Sequence, residues 1–369
     1  MQNSLFYEIA LTQIFMVGPR TARTLIENMG SAEAVFKEDP NILKKIGNVG
    51  SYLADEAYRS EALMRAEEEM LFIEKNNIKA ISYRDEAFSQ RLAQCNDAPL
   101  VLYQSGDCDL NSAKFLSIVG TRKITKYGKD ITSSLIKELS KTNNNVVIVS
   151  GLAYGVDITA HRAALDYGVK TIGIVAHGLD RLYPAAHRQV ASNMIQQGGA
   201  VVTEFLSRTN PDPQNFVQRN RIVAGLCDAV VVVESANKGG SLITANLGND
   251  YNRDVFAFPG RVNDESSAGC NSLIRNNKAQ LITSAEDLIS IMGWDNTISE
   301  AKQQQLFDDE LPAEQQHIID LLGNEPQHIN QISTAINLPI QKTSALLTEM
   351  VFSDLIEQLP GDFFAKKGI

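Results

Sequence analysis

The sequence predicts an α/β fold with a doubly wound, mostly parallel sheet, a helical region before it and a winged-helix-like region after it. Between residues 80 and 293, short β-branched runs alternate with helical stretches about every 25–30 residues, which is typical of βαβ units. Several runs, such as VVIV and VVVV, are apolar throughout, as expected for strands covered on both faces. Residues 1–75 and 311–369 carry mainly helical patterns instead.

Residues 1–75 are expected to form helices broken by Gly-containing turns. The turns at Gly18 and Gly47 are similar to the hairpins of helix-hairpin-helix pairs, in which glycine lets backbone N–H groups approach a phosphate. The first hairpin lacks its second glycine. We therefore favour the alternative, a helical packing or protein-contact module of SAM-like shape.

Six apolar runs in the middle region are candidate strands. They cover residues 115–120, 145–151, 170–178, 200–205, 228–235 and 254–260. In a doubly wound sheet, ligands bind outside the carboxyl ends of the strands. The residues that follow each run are therefore candidate binding residues, and glycines and hydroxyl side chains cluster there.

Two of the predicted strand-to-helix turns combine small residues with basic ones. The first contains Gly120, Thr121, Arg122 and Lys123, and the second contains Lys238, Gly239, Gly240 and Ser241, with Thr244 one turn into the helix. A helix N-terminus presents free N–H groups to a phosphate, and arginine adds a fork of donors. Two such sites along one sheet edge suit a polynucleotide backbone, whereas tight packing of the glycines is the alternative. Ser150 and Gly151, at the end of the second strand, complete this set.

The stretch from Phe216 to Gly225 is expected to begin a helix that leads into the fifth strand. Arg219 and Arg221 are two residues apart, so they do not share a helical face. We expect one to contact phosphate and the other to pair with a carboxylate inside the protein; two structural ion pairs are the alternative. Asn220 between them is a further candidate, and Phe216 is expected either to stack on a base or to lie in the core.

Charge is unevenly distributed along the chain. The net charge is −10 and the pI is about 5.1, which argues against a protein that coats nucleic acid by bulk charge. Residues 114–261 hold 17 Lys and Arg against 11 Asp and Glu, whereas residues 300–369 hold 4 against 11. Contact with phosphate is therefore expected in the middle region.

Several other classes of protein are disfavoured. The four cysteines form no C-x-x-C pair, so neither a metal site nor a disulfide framework is expected. No G-x-G-x-x-G follows a strand and no Walker motif is present, so no cofactor is expected. Asp157 with His161, and Asp180 with Tyr183 and His187, are expected to have structural roles. No apolar run approaches about 20 residues and no signal peptide is recognisable, so we expect a cytoplasmic protein without membrane contact.

The motifs of the middle region, taken in order, resemble one family. They are IVGTRKIT, VSGLAYGVDITAHRAAL, HGLDRLYPAAH, RNRIVAG, KGGSLITA, VFAFPG and GCNSLI followed by AQLITSAEDLI, and they lie within residues 80–293. Together they resemble the DNA-processing protein A family, also called DprA or Smf. The resemblance implies a Rossmann-like domain that binds single-stranded DNA without catalysis. It also implies a homodimer, loading of a RecA-type recombinase and a role in natural transformation.

The resemblance also assigns residues. The family's phosphate-binding arginine corresponds to Arg122, and its Gly-Ser-Leu-Ile-Thr turn corresponds to residues 240–244. Its basic pair corresponds to Arg219 and Arg221. The family often has Phe-Pro before this pair, whereas valine follows Phe216 here, which reduces the rigidity of the loop.

The C-terminal part is expected to make protein contacts. The resemblance places the family's dimer and recombinase contacts within residues 267–292, which contain Leu273, Ile274, Leu281, Leu288 and Ile289. Residues 294–310 are polar, Gln-rich and acidic, and are expected to form a linker. Residues 311–369 have a winged-helix order, with helices expected at 313–323, 328–336 and 340–352 before a hairpin. Their acidic balance disfavours phosphate, so we expect a protein-contact or regulatory module.

Two other functions stay open as alternatives. Rossmann-like nucleotide-binding or nucleotide-hydrolysing enzymes place a catalytic glutamate near a Gly-rich loop, and Glu204 or Glu234 could take that part. No P-G-G-x-G-T loop is present, which weighs against this alternative. The other alternative is a transcriptional regulator that acts through the winged helix, which the acidic balance of residues 311–369 disfavours.

Overall fold

The apolar runs of the middle region form one sheet in the computed structural model, which describes residues 2–111, 114–142, 145–294, 312–322, 326–353 and 355–366. Within these residues the sheet has nine strands: β1 (Lys79–Ser82), β2 (Val101–Gly106), β3 (Lys114–Val119), β4 (Val146–Ser150), β5 (Thr171–Ile174), β6 (Ala200–Thr203), β7 (Ala229–Val232), β8 (Asp254–Ala257) and β9 (Gln280–Leu281). Their order is β1-β2-β6-β5-β4-β3-β7-β8-β9. Neighbours from β6 to β9 are parallel, whereas β2 pairs antiparallel with β1 and β6. The predicted doubly wound, mostly parallel sheet is confirmed.

Six helices precede the sheet: α1 (Gln2–Gln13), α2 (Pro19–Met29), α3 (Ala32–Lys37), α4 (Pro40–Leu43), α5 (Gly50–Ala54) and α6 (Glu56–Lys75). Gly18 is the N-cap of α2 and Gly47 begins a short 3-10 turn, so both glycines lie where helices are interrupted. The apolar side chains of these helices share a core with Leu100 and with Val101 and Tyr103 of β2. The helical region and the sheet therefore form one compact unit, Met1–Trp294.

Helices cover both faces of the sheet. They are α7 (Gln90–Ala93), α8 (Lys126–Lys141), α9 (Val156–Asp166), α10 (Arg188–Gln196), α11 (Pro213–Gly225), α12 (Gly240–Asp250), α13 (Ala268–Arg275) and α14 (Ala285–Ile291). Alternate strand residues face opposite sides. In β7, Val230 and Val232 pack in the core that contains α11, α12 and α13, whereas Ala229 and Val231 pack in the core that contains α8, α9 and α14.

The path of the chain opens a crevice beside β3. From β3 the chain proceeds outward through β4, β5 and β6, and then crosses back to place β7 on the other side of β3. The loops after β3 and β7 therefore leave the sheet in opposite directions. Such a switch point at the carboxyl ends of parallel strands is the usual ligand-binding position of doubly wound folds.

The second unit, Asp295–Ile369, has the predicted winged-helix order. Its elements are α15 (Ala313–Leu322), β10 (Gln327–His328), α16 (Ile329–Ala335), α17 (Ile340–Phe352), β11 (Ile356–Leu359) and β12 (Phe363–Lys366). The strands are ordered β10-β12-β11, so β10 adds to the predicted hairpin. The predicted linker, residues 294–310, lies outside the described residues apart from Trp294. No described helix is both long and apolar enough to cross a membrane.

Candidate nucleic-acid interface

A cleft of about 490 Å³ lies at the carboxyl ends of β3 and β7. It brings together predicted site residues from three separate stretches of the sequence: Gly120, Thr121, Arg122, Phe216, Arg219, Asn220, Gly239, Gly240, Ser241 and Thr244. The first group follows β3, the second lies on α11 and the third begins α12. The switch point of the sheet therefore assembles one site from a first motif and two others that follow it about a hundred residues later in the chain.

Helix α11 presents one face to the cleft. Phe216, Arg219 and Asn220 are three and four residues apart, so they lie on the same side of the helix and line the cleft together. Arg221 lies outside the lining. Its guanidinium pairs with the Glu204 carboxylate and donates to the backbone carbonyl of Asp97. The assignment of Arg221 to phosphate is therefore wrong, and it is the arginine of the two that pairs with an internal carboxylate.

Arg122 supplies an exposed cation to the cleft. Its guanidinium carbon lies 5.2 Å from the centre of the Phe216 ring, within the range of a cation–π contact. Tyr183 contacts the same ring edge to face, with the two ring centres 6.0 Å apart. Phe216 is half-buried, so part of its ring is open to the cleft rather than enclosed in the core.

Arg219 lines the cleft, but most of its side chain is enclosed by the protein. It is buried, and its Nη1 donates to the carbonyl oxygens of Gly151, at 2.6 Å, and Ile174. Burial lowers the pKa of Arg219 to about 10, which leaves it charged at neutral pH, and the nearby Asp157 carboxylate opposes this shift. Asp157 accepts from the Gly151 amide at 3.1 Å, so the two groups together fix the end of β4. Gly151 thus has a structural role, because a Cβ there would collide with both side chains.

The first turn differs from the expected phosphate site at a helix N-terminus. Helix α8 begins only at Lys126, and the Glu234 carboxylate accepts from the amide of Thr125 at 2.9 Å and from its hydroxyl at 2.6 Å. An internal anion therefore already occupies this helix end. The amide of Thr121 also donates internally, to the Glu234 carbonyl at 2.7 Å. Binding of an anion at this turn consequently depends on the Arg122 side chain.

The second turn, unlike the first, leads into a helix whose N-terminus has no side-chain cap. Gly239 is the N-cap of α12, and no side chain caps this helix. The amides of Gly240 and Ser241 are available to an anion, because the first N–H groups of an α-helix have no partners within the helix, whereas the Leu242 amide donates to the Gly239 carbonyl at 3.1 Å. The hydroxyl of Ser241 donates to Ser235 Oγ at 2.9 Å, so it is engaged inside the protein. Lys238 is exposed beside the turn but does not line the cleft.

Other assigned residues do not reach the cleft. Ser150 is fully buried and its hydroxyl donates to the carbonyl of Ile118 at 2.6 Å, so the assignment of Ser150 to DNA is wrong. Lys123 is exposed but lies outside the lining. Glu204 and Glu234, the two candidate catalytic carboxylates, also lie outside it and have the internal partners described above.

The residues assigned to dimer and recombinase contacts differ in exposure. Leu273, Leu288 and Ile289 are buried in the two cores of the sheet, so these three assignments are corrected: a side chain that packs inside its own fold offers no surface to a partner. Ile274 is partly buried, and Leu281 is 47% exposed on the edge strand β9.

The structure adds lining residues that the sequence analysis did not assign to the site. They are Val119, Ala153, Asp157, Tyr183, Pro211, Pro213, Val217 and Ile243. Tyr183 is the most informative of these, because it extends the aromatic surface around Phe216 from a loop 33 residues earlier in the chain. Asp157 and His161 have structural partners, as expected, with His161 Nδ1 2.7 Å from Thr171 Oγ1.

Comparison with known proteins matches both units of the chain. The family model of DNA recombination-mediator protein A matches residues 79–293, and that of the DprA winged helix domain matches residues 301–362. The chain is 38% identical to DNA processing protein DprA of Streptococcus pneumoniae, over 57% of this chain and 73% of that protein.

Solved structures give the same result. The X-ray structure of DNA processing protein A from Streptococcus pneumoniae matches with a TM-score of 0.65 and 33% identity, covering 77% of this chain and 97% of that one. DNA processing protein A from Helicobacter pylori, whose structure was described for its single-stranded DNA binding mode, matches with a TM-score of 0.53 and 33% identity, covering 59% and 96%. The chain belongs to the DNA recombination-mediator protein A family.

Proposed function

We propose that this protein binds single-stranded DNA in the cleft at the switch point of the sheet and passes it to a RecA-type recombinase in DNA recombination and natural transformation. The observation that supports this most is the position of the exposed Arg122 against the half-buried ring of Phe216, where both residues line the cleft. A cation for phosphate and an aromatic face for a base lie side by side in one cleft. The Helicobacter pylori relative, described as binding single-stranded DNA, supports the same proposal.

The chemistry of the cleft favours single strands over duplexes. Phe216 and Tyr183 can stack only on a base whose face is free, and the bases of a duplex are already stacked on each other. Arg122 and the N-terminus of α12 contact phosphate without reading a base edge. We therefore propose binding that depends little on sequence.

The contacts of Glu204 and Glu234, the two carboxylates that a nucleotide-hydrolysing enzyme would use, support a binding role without catalysis. Glu234 accepts from Thr125, and Glu204 pairs with Arg221, so each is engaged inside the protein. Burial raises the pKa of Glu204, and Arg221 opposes this shift. Incubation of the protein with nucleoside monophosphates tests the point, because release of free base would favour the enzyme alternative.

Phe216→Ala is expected to weaken binding of single-stranded oligonucleotides by about 5- to 150-fold, since stacking on one base contributes about 1–3 kcal/mol. The dependence of affinity on salt should stay as in the wild type, because no phosphate contact is removed. Fluorescence anisotropy over a salt series measures both quantities. Phe352→Ala is the matched control, because Phe352 is 88% exposed on α17 in the other unit. Equal affinities of the two variants would contradict the stacking role.

We also propose that the protein forms a homodimer through the segment 267–292, with Leu281 on the edge strand β9 as its exposed apolar contact. Leu281→Glu should raise the dimer dissociation constant at least about tenfold, since burial of a leucine contributes about 1.5–3 kcal/mol. Sedimentation equilibrium measures this constant. Val262→Glu is the control, because Val262 is 90% exposed but lies outside the segment. A Leu281→Glu protein that dimerises like the wild type would contradict this placement.

A further inference from the structure

Helix α6 of the N-terminal helical region binds every polar atom of one residue in the loop after β6. Glu69, which is 2% exposed, accepts from the Ser207 amide with both carboxylate oxygens at 3.0 Å and from the Ser207 hydroxyl at 2.6 Å. Arg65 donates to the Ser207 carbonyl oxygen at 2.6 Å and to the hydroxyl at 3.1 Å. Arg65 also pairs with Glu69 at 2.9 Å. A buried carboxylate with charge-assisted bonds to one loop residue is a rigid attachment.

The residues that follow are held by a second loop. The Arg208 amide donates to Asp180 Oδ1 at 2.7 Å, and Arg181 Nη1 donates to Asn210 Oδ1 at 2.5 Å. The amide of Gly178 donates to the Thr209 carbonyl at 3.2 Å. The loop after β6 is therefore fixed on one side by α6 and on the other by the loop after β5.

Both loops continue directly into the cleft. After Asn210, Pro211 and Pro213 line the cleft, and α11 begins at Pro213 with Phe216 in its first turn. The loop after β5 contains Tyr183, whose ring contacts Phe216. A shift of Ser207 would therefore move the stacking surface, although Ser207 itself does not line the cleft.

We propose that Glu69 is a positioning residue for DNA binding, through which the N-terminal helical region fixes the wall of the cleft that carries Phe216. This inference rests on the proposed binding of single-stranded DNA. In this proposal the helical region contributes to DNA binding without contacting DNA itself. Helix α6 is suited to this task, because Ala62 and Ala66 on it pack in the buried core shared with the sheet edge.

Glu69→Gln tests the proposal, because an amide in place of the carboxylate cannot accept from Ser207 with both of its polar atoms. We expect affinity for oligo(dT) to fall about tenfold. This is the loss expected when only about one tenth of the protein molecules have the loop in its binding-competent conformation. The slope of log affinity against log salt should stay unchanged, because no phosphate contact is lost. Amide hydrogen exchange of residues 206–213 should accelerate in the absence of DNA.

Glu68→Gln is the matched control. Glu68 is the neighbouring residue on α6, and it pairs with Arg208 at 2.8 Å on the exposed surface, where ion pairs contribute little. This variant should keep wild-type affinity and wild-type exchange. Wild-type affinity in Glu69→Gln, or a reduced salt slope in it, would overturn the positioning role.

If Glu69→Gln fails to fold, Ser207→Ala tests whether the attachment of Ser207 to Glu69 positions the loop after β6. It removes only the hydroxyl that bonds to Glu69 at 2.6 Å, and affinity should fall about threefold with faster exchange of residues 206–213. Unchanged exchange in Ser207→Ala would overturn the proposed attachment whether or not DNA binds. A wild-type protein that does not bind oligo(dT) would instead refute the proposed function, so the two failures are distinguishable.

Discussion

Arg122→Ala should weaken binding of single-stranded DNA about 10- to 150-fold, since a hydrogen bond to a charged group contributes about 1.5–3 kcal/mol. The guanidinium is exposed, lies over the Phe216 ring and is the cation that the turn after β3 offers to a phosphate. The loss should be similar for all sequences, and the salt slope should fall by about one, because one phosphate contact disappears. Anisotropy titrations between low and high salt measure both effects.

The control for Arg122 is Arg188→Ala. Arg188 is exposed at the start of α10 and does not line the cleft, so its removal changes the net charge equally without removing the contact. Arg122→Lys should give an intermediate loss, because it keeps the charge but not the fork of donors. An Arg122→Ala protein that binds like Arg188→Ala would contradict the assignment of Arg122.

Gly155→Ala should destabilise the protein by at least about 2 kcal/mol and weaken DNA binding with it, because it combines backbone strain with a steric collision. Gly155 has a φ of +81°, and a Cβ there would lie 2.7 Å from the backbone of Arg122 and closer still to the Thr121 carbonyl. That carbonyl accepts from the Val156 amide at 3.1 Å, which fixes the Arg122 turn against α9. Urea unfolding measures the first effect and oligonucleotide titration the second.

Gly168→Ala is the matched control for Gly155. Gly168 has a φ of +69°, but a Cβ there meets no atom within 4 Å. It should therefore cost only the strain of a left-handed alanine, about 1 kcal/mol, and leave DNA affinity unchanged. Equal losses of stability in the two variants, with wild-type affinity in both, would contradict the role of Gly155 in holding the Arg122 turn.

The six apolar strands at the centre of the sheet, β3 to β8, are readable in the sequence, whereas the outer strands β1, β2 and β9 are not. β3 through β8 are apolar runs because helices cover both sides of each, and all six were predicted. β2 covers Val101–Gly106, reads VLYQSG and ends in polar residues, and β9 has only two residues. Nothing in the local pattern distinguishes such segments from loops.

The parts of the candidate site that consist of small residues at strand ends can be predicted from the sequence. The direction in which a side chain points cannot. The turns around Arg122 and Gly239 were found because glycines and a cation follow apolar runs. The sequence also points to Ser150, at a strand end, and to Arg221, in the basic pair, but the Ser150 hydroxyl donates to the neighbouring strand β3 and Arg221 pairs with Glu204. The anion at the start of α8, Glu234, comes from a strand end 109 residues away, and only the folded chain brings it there.

The most direct test of the central claim is an anisotropy titration of the full chain with oligo(dT) and with a duplex of equal length, each over a salt series. The cleft predicts a preference of at least about fivefold for the single strand, since stacking on one free base contributes about 1–3 kcal/mol that a duplex cannot use. It also predicts an affinity that falls as salt rises. Equal affinity for both forms, or no binding to either at low salt, would contradict the claim that this cleft binds single-stranded DNA.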